Sequence, residues 1–159
     1  MTEITKKLIS EEKIYELALN EKKHYEDSRD QINGQYIGLF AAIIAVTPFI
    51  NNMVEAVPGK YEGLVIRVAL TMLSLIGLIL SFLWLANLKR ILFLLEALDK
   101  IVINLEKEYD IAFKLDLFKE LEKKGAPDRI TKYQILMPRM FILIFTGIII
   151  YSLAWIIAI

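Results

Sequence analysis

The chain has 159 residues, 56% of them hydrophobic, and 19 Lys and Arg balance 19 Asp and Glu. Zero net charge gives no reason to propose nucleic acid as a partner. With no Cys and a single His, His24, a disulfide framework, a thiolate metal site, a Cys nucleophile and a His-rich metal centre are all excluded.

The apolar residues gather in three dense blocks, and the charges fall almost entirely outside them. An uncharged apolar run of about 18 residues or more crosses a hydrocarbon core of roughly 30 Å, at about 1.5 Å of rise per residue. The blocks therefore predict an all-α fold with three transmembrane helices, a long cytosolic helical extension and no enzymatic site. Four segments are expected: a cytosolic N-terminal helix over 1–34, a transmembrane hairpin over 35–88, a cytosolic helical segment over 89–137, and a third span over 138–159.

Residues 1–34 open with mixed charge. The first 30 residues hold six Lys and Arg against eight acids, unlike the basic start and apolar run of a signal peptide, so the first span is expected to direct insertion. Ser10 suits an N-cap, Glu11 and Glu12 suit a first turn, and Ile14, Leu17 and Ala18 form a narrow apolar stripe.

The first span is expected from about residue 32 to residue 50, with no charge. Asn33, Gln35 and Tyr36 suit its interfacial end, and Pro48 is expected to end or bend the helix near the other. Residues 51–64 carry Asn51, Asn52, Pro58, Gly59 and Gly63, turn chemistry for a short hairpin connection.

The second span is expected over about 64–88. Arg67, one turn inside it, can snorkel to the interface, Trp84 suits the headgroup zone at the other end, and Lys89-Arg90 stops the span. Neither Gly nor Pro occurs between residues 91 and 121, so the helix is expected to continue into the cytosol. Ile91, Leu95, Leu98, Val102, Leu105, Tyr109 and Ala112 repeat at spacings of 4, 3, 4, 3, 4 and 3, a heptad seam. Extended backwards, it falls on Gly77, Ser81, Trp84 and Leu88, while Lys100, Glu106, Lys107, Glu108 and Asp110 read as its outer face. Asp116 breaks the seam, and Phe113, Leu117 and Leu121 take over on a rotated face.

Gly125, Pro127 and Asp128 mark a helix stop and restart. The third span is expected over about 140–159, with Pro138 at its entry as a potential kink, Arg139 at the interface, and Tyr151 and Trp155 toward its far end.

Residues 1–34 hold 6 Lys and Arg, residues 89–139 hold 11, and the first connection offers only Lys60 and Arg67. By the positive-inside rule the N-terminus and the second connection face the cytosol, and the C-terminus faces outward.

Candidate contacts follow from small residues. Gly34, Gly38 and Ala42 share one face of the first span, Gly77 and Ser81 one face of the second, and Gly147, Ala154 and Ala158 recur in the third; such faces serve either oligomer contacts or packing between spans of one subunit. The seam serves either an intersubunit bundle or an intrachain hairpin with the helix over 10–29. Tyr36, Arg67, Trp84, Lys89, Arg90, Arg139 and Trp155 are expected as membrane-interface anchors.

Asn33 and Gln35, beside Arg29 and Asp30, line an inner vestibule or else cap and bond helices. No span carries a central ionisable residue, which argues against an ion-coupled transporter, whereas a passive pore lined by Thr71, Ser74 and Ser81 stays open. His24, with Glu21 and Asp27 nearby, reads as a solvated surface group, and the run Glu106, Glu108, Asp110 as a solvated face rather than a cation site. The sequence has no phosphate-cradling Gly-rich loop and no nucleophile elbow. No cofactor is implied.

The order of motifs carries a resemblance. HYEDSRDQINGQYIGLFAAIIA leads into the first span, SFLWLANLKRI ends the second, LEALDKIVINLEKEYDIAF follows, and KYQILMPRMFILIF enters the third. This resembles the RipA-like family of octameric bacterial inner-membrane proteins, over most of the chain, and the first two spans are similar to SLATT-type effector domains. The resemblance implies an inner-membrane homo-oligomer of ring form, without enzymatic activity. That family commonly carries a Glu two residues before the Pro; Leu136 stands there, so no role of that acid carries over. The expected function is scaffolding or envelope homeostasis, with the bilayer, further copies of the chain and an unidentified membrane or cytosolic protein as partners. A regulated pore or membrane-disrupting effector is the alternative, and an ancillary subunit of a membrane complex a third reading.

Overall fold

A computed structural model describes residues 11–54, 59–108 and 134–157. The helices are α1 (Glu11–Val54), α2 (Gly59–Glu108) and α3 (Leu136–Ile157), and there is no strand among the described residues. All three are long and apolar enough to cross a membrane. The expected N-cap at Ser10, the seam positions Tyr109 and Ala112, the break and rotated face beyond them, the stop at Gly125, Pro127 and Asp128, and Ala158 lie outside the described residues.

α2 runs without interruption through Lys89-Arg90 to Glu108, as the lack of breakers implied. Three boundaries differ from expectation. Pro48 does not end α1, which continues to Val54; a proline removes one donor and crowds one carbonyl, and the ladder on either side of it stays intact. α2 begins at Gly59 rather than near residue 64, so Gly63 is a helical residue and not part of a turn. α3 begins at Leu136, which puts Pro138 in its first turn, where a backbone N–H would have no helical partner and the ring breaks no bond.

The described residues fall into two compact units, residues 11–30 with 90–108, and residues 31–89 with 134–157. The second holds the apolar spans. Its core is aromatic: Trp84 and Phe40 are almost fully buried, along with Leu88 and Phe145. Phe40 stacks on Phe141 at 4.3 Å between centroids and Trp84 on Tyr36 at 5.6 Å. The outward faces carry large apolar side chains instead, among them Ile44, Phe49, Met72, Ile79, Leu143 and Ile150. Of the most apolar stretch of each helix, only 6%, 22% and 11% is buried inside the chain. Water would not tolerate so much open apolar surface, and lipid or a neighbouring subunit does.

The first unit pairs the early turns of α1 with the last turns of α2. Ala18, Ile91, Leu95 and Val102 are buried in it, together with Asp99 and Glu106. The buried face of α2 follows the seam and its backward extension through Gly77, Ser81, Trp84, Leu88, Ile91 and Leu95, and again at Val102, but Asp99 and Glu106 stand inward where Leu98 and Leu105 were expected. An α-helix advances about 3.6 residues per turn, so without supercoiling the inward face drifts off a 3.5 repeat. Leu98 and Leu105 are turned to half-buried positions, and Glu106, expected on the outside, points inward at 2% exposure.

Candidate functional site

The span unit is built around Trp84, which was expected in the headgroup zone as an anchor. It is only 1% exposed, on the face to which the seam extends backwards. A buried indole needs an acceptor, and Asn33 supplies one: Trp84 Nε1 donates to Asn33 Oδ1 at 2.8 Å. Asn87 Nδ2 donates to the Tyr36 hydroxyl at 3.1 Å one turn further along. Asn33 thus bonds two helices together, while Gln35 is exposed and Arg29 donates to its neighbour Asp30 at 2.9 Å. Tyr36 is half-buried, and Lys89, Arg90 and Arg139 are exposed.

Of the three hydroxyls considered as a pore lining, two donate to backbone carbonyls of their own helix. Ser81 Oγ donates to the Gly77 carbonyl at 2.7 Å, and Thr71 Oγ1 to the Arg67 carbonyl at 2.8 Å. Ser74 and Ser81 are buried inside the chain. Ser152 is also fully buried, and its Oγ has no hydrogen-bond partner among the described residues.

The small residues divide into two classes. A Cβ placed at Gly77 would run into the Phe145 ring, and one at Gly63 would lie 2.9 Å from Trp155 Cη2. These glycines admit aromatic side chains of α3 from the same chain. Gly34, Gly38 and Gly147 have nothing within 4 Å of such a Cβ. Ala42 and Ala154 are exposed as well. Among the described residues, the Gly34, Gly38, Ala42 face of α1 is therefore not used within one chain.

At the other end of the span unit, the Arg67 guanidinium lies over the Tyr151 ring at 4.7 Å and over the Trp155 ring at 5.0 Å. Its Nη2 reaches the Tyr151 hydroxyl at 3.5 Å.

In the other unit, the polar partners of the buried acids come from α1. Lys22 Nζ lies 2.7 Å from Asp99 Oδ1 and 3.8 Å from Glu26 Oε1. The Tyr15 hydroxyl donates to Glu106 Oε1 at 3.0 Å. Burial lifts the Tyr15 hydroxyl above its ordinary pKa, and the hydrogen bond to Glu106 and that carboxylate's charge act in the same direction. His24 is exposed and meets the Tyr25 ring edge-on at 5.7 Å. Among the described residues, no three potential metal ligands gather.

Sequence reasoning missed the burial of Asp99 and Glu106 and the cluster of Phe40, Phe141 and Phe145. The acids had a signal: they sit one residue past seam positions, where a 3.6-residue period overtakes a 3.5-residue one. Phe141 and Phe145 had one too, as aromatic residues four apart on one helical face.

The arrangement is one for helix recognition, with one set of small-residue contacts filled inside the chain and another left open. No curated protein and no solved structure matches the chain, and the similarity of its first two spans to SLATT-type effector domains is not borne out. A family model does match, over residues 12–154, nearly the full extent of the three helices, and the chain belongs to the octameric membrane protein family (8xMP).

Proposed function

We propose that the protein is a non-catalytic scaffold of the bacterial inner membrane, in which copies of the chain form a closed ring and the Gly34, Gly38, Ala42 face of α1 packs against a neighbouring subunit. The observation that carries this reading is the contrast among glycines. Gly63 and Gly77 receive Trp155 and Phe145 of the same chain, whereas Gly34 and Gly38 stand open on an exposed face. In lipid, association is driven by close backbone packing, and a face of small residues permits it where a face of Leu or Ile does not. Membership of an octameric family supports a second copy as the occupant.

The charge distribution supports a cytosolic N-terminus and an outward C-terminus, since 17 of the 19 Lys and Arg lie in residues 1–34 and 89–139. The cytosolic helices would then present a platform for envelope or cytosolic proteins. A pore within one subunit lined by Thr71, Ser74 and Ser81 finds less support, because Ser74 and Ser81 are buried and the Ser81 and Thr71 hydroxyls are spent on backbone carbonyls.

The test is particle mass in mild detergent by light scattering, with ion flux in liposomes beside it. Wild type is expected as a discrete oligomer without flux. Gly38→Leu is expected to disperse it, and unchanged mass for that variant would remove the α1 face from the interface. The double variant Leu98→Asp, Leu105→Asp probes the half-buried seam edge: dispersal assigns it to subunit contact, and an intact oligomer confines it to one chain.

A further inference from the structure

Arg67 is a cation at one end of the apolar spans, and its surroundings are organised around it. Lys89 is 22 residues further along α2. At about 1.5 Å per residue that separates the two cations by about 33 Å, close to the roughly 30 Å of a hydrocarbon core. With Lys89 at one membrane face, Arg67 stands at the headgroup level of the other.

Two aromatic rings from α3 fix the guanidinium there. It lies over Tyr151 at 4.7 Å and over Trp155 at 5.0 Å. Trp155 comes this close because α2 has Gly63 where any side chain would collide with the indole, a Cβ there lying 2.9 Å from Cη2. Rings that occupy a guanidinium's faces leave its N–H donors, which point outward in the plane, for an acceptor at the edge. Among the described residues, the side-chain acceptor it meets is the Tyr151 hydroxyl, at 3.5 Å, the limit of a hydrogen bond. Among the described residues no carboxylate pairs with it. Glu62, nearby on the same helix, folds back over Gly59, its Oε1 3.5 Å from a Cβ placed there. The site thus holds an oriented fork of donors, with no carboxylate of the described residues on it, at the depth of lipid phosphates.

We propose that Arg67, held over Tyr151 and Trp155, binds the phosphodiester of a membrane phospholipid, most tightly one whose headgroup is net anionic. A stacked guanidinium presents paired N–H donors to two phosphate oxygens, which an ammonium cannot match. Each bound lipid fastens α2 to α3 at the membrane surface through the residues that position the arginine.

The test uses the full chain purified in mild detergent, loaded with phosphatidylglycerol, washed by exhaustive detergent exchange, and assayed for lipid retained per subunit by extraction and mass spectrometry. Wild type is expected to retain phosphatidylglycerol in preference to phosphatidylcholine. Arg67→Gln is expected to lower retention about tenfold, as the loss of a charge-assisted pair implies, with far-UV circular dichroism and particle mass unchanged. Arg67→Lys keeps the charge and loses the fork, and Trp155→Leu keeps the charge and loses the ring; both are expected to fall in between. Equal retention by wild type and Arg67→Gln, or by wild type and Arg67→Lys should the glutamine variant not fold, overturns the proposal, as it would if the arginine were satisfied by water or by a carboxylate of the chain. Displacement of the lipid by millimolar inorganic phosphate would assign the site to a free anion and overturn the lipid reading.

Discussion

Gly77 offers a direct test of how the spans pack. A Cβ at this position would lie 2.6 Å from both Cε atoms of Phe145 and nearer still to Cζ. Carbon atoms rest at about 3.5–4.0 Å, so the ring or its helix must retreat by roughly 1 Å. The ring has little room to turn away, since Phe40 and Phe141 stack near it at 5.7 and 6.1 Å between centroids. Gly77→Val adds three carbons there, and overpacking of this kind costs about 1–3 kcal/mol. The gain in helix propensity from glycine to valine returns only about 0.3 kcal/mol. A net loss of about 2 kcal/mol is expected, roughly a thirtyfold shift in the folding equilibrium. Gly147→Val is the control, because it makes the same chemical change where nothing lies within 4 Å. The assay is unfolding of micelle-held protein by rising SDS fraction, followed by far-UV circular dichroism at one protein concentration, since association adds to apparent stability. Phe145→Ala in the Gly77→Val background should recover part of the loss, with a coupling of about 1 kcal/mol. Equal losses for the two valine variants, or no coupling in the double variant, would refute this packing.

Two further outcomes concern the charged unit. Lys22→Met is expected to cost about 1–3 kcal/mol, between the values for surface and buried pairs, because the Lys22 and Asp99 side chains retain 17% and 9% exposure; a double-mutant cycle with Asp99→Asn in the same denaturation assay measures the pair, and a coupling near zero would dismiss it. Tyr15→Phe is expected to cost about 1 kcal/mol, the usual net worth of such a hydrogen bond. Because the Tyr15 pKa is raised on folding, its contribution is fully present below the unfolded value of about 10 and is lost only as pH rises through the higher folded value. The difference between wild type and Tyr15→Phe should therefore stay constant from about pH 7 to 9, and a steady decline across that window in denaturation midpoints would contradict the assignment.

Much of the candidate site was visible in the residues before any fold was known. The shared face of Gly34, Gly38 and Ala42 and the run of α2 through Lys89-Arg90 follow from small-residue spacing and the lack of a breaker. These are local properties, carried by one helix at a time. That Gly77 packs against another span was one of the two readings its spacing allowed; which ring it receives, and that Gly63 receives one at all, was not visible, because Phe145 and Trp155 approach from another helix. Trp84 is the sharpest case. Its place near a span end predicts a headgroup anchor and its place on the extended seam predicts a packed face; the packing is what the helices show, against Tyr36 and Phe40 with the indole N–H on Asn33.

By itself the sequence determined that this chain makes three membrane-crossing helices, because the length of an uncharged apolar run against the thickness of a bilayer needs no tertiary information. Which side chains face inward was settled by the packing of helix on helix. In lipid, apolar residues gain little from one side of a helix over another, so hydropathy does not choose the packed face. In the charged unit the choice fell to geometry and pairing: a period of about 3.6 residues brought Asp99 and Glu106 inside, and Lys22 and Tyr15 of α1 were there to receive them.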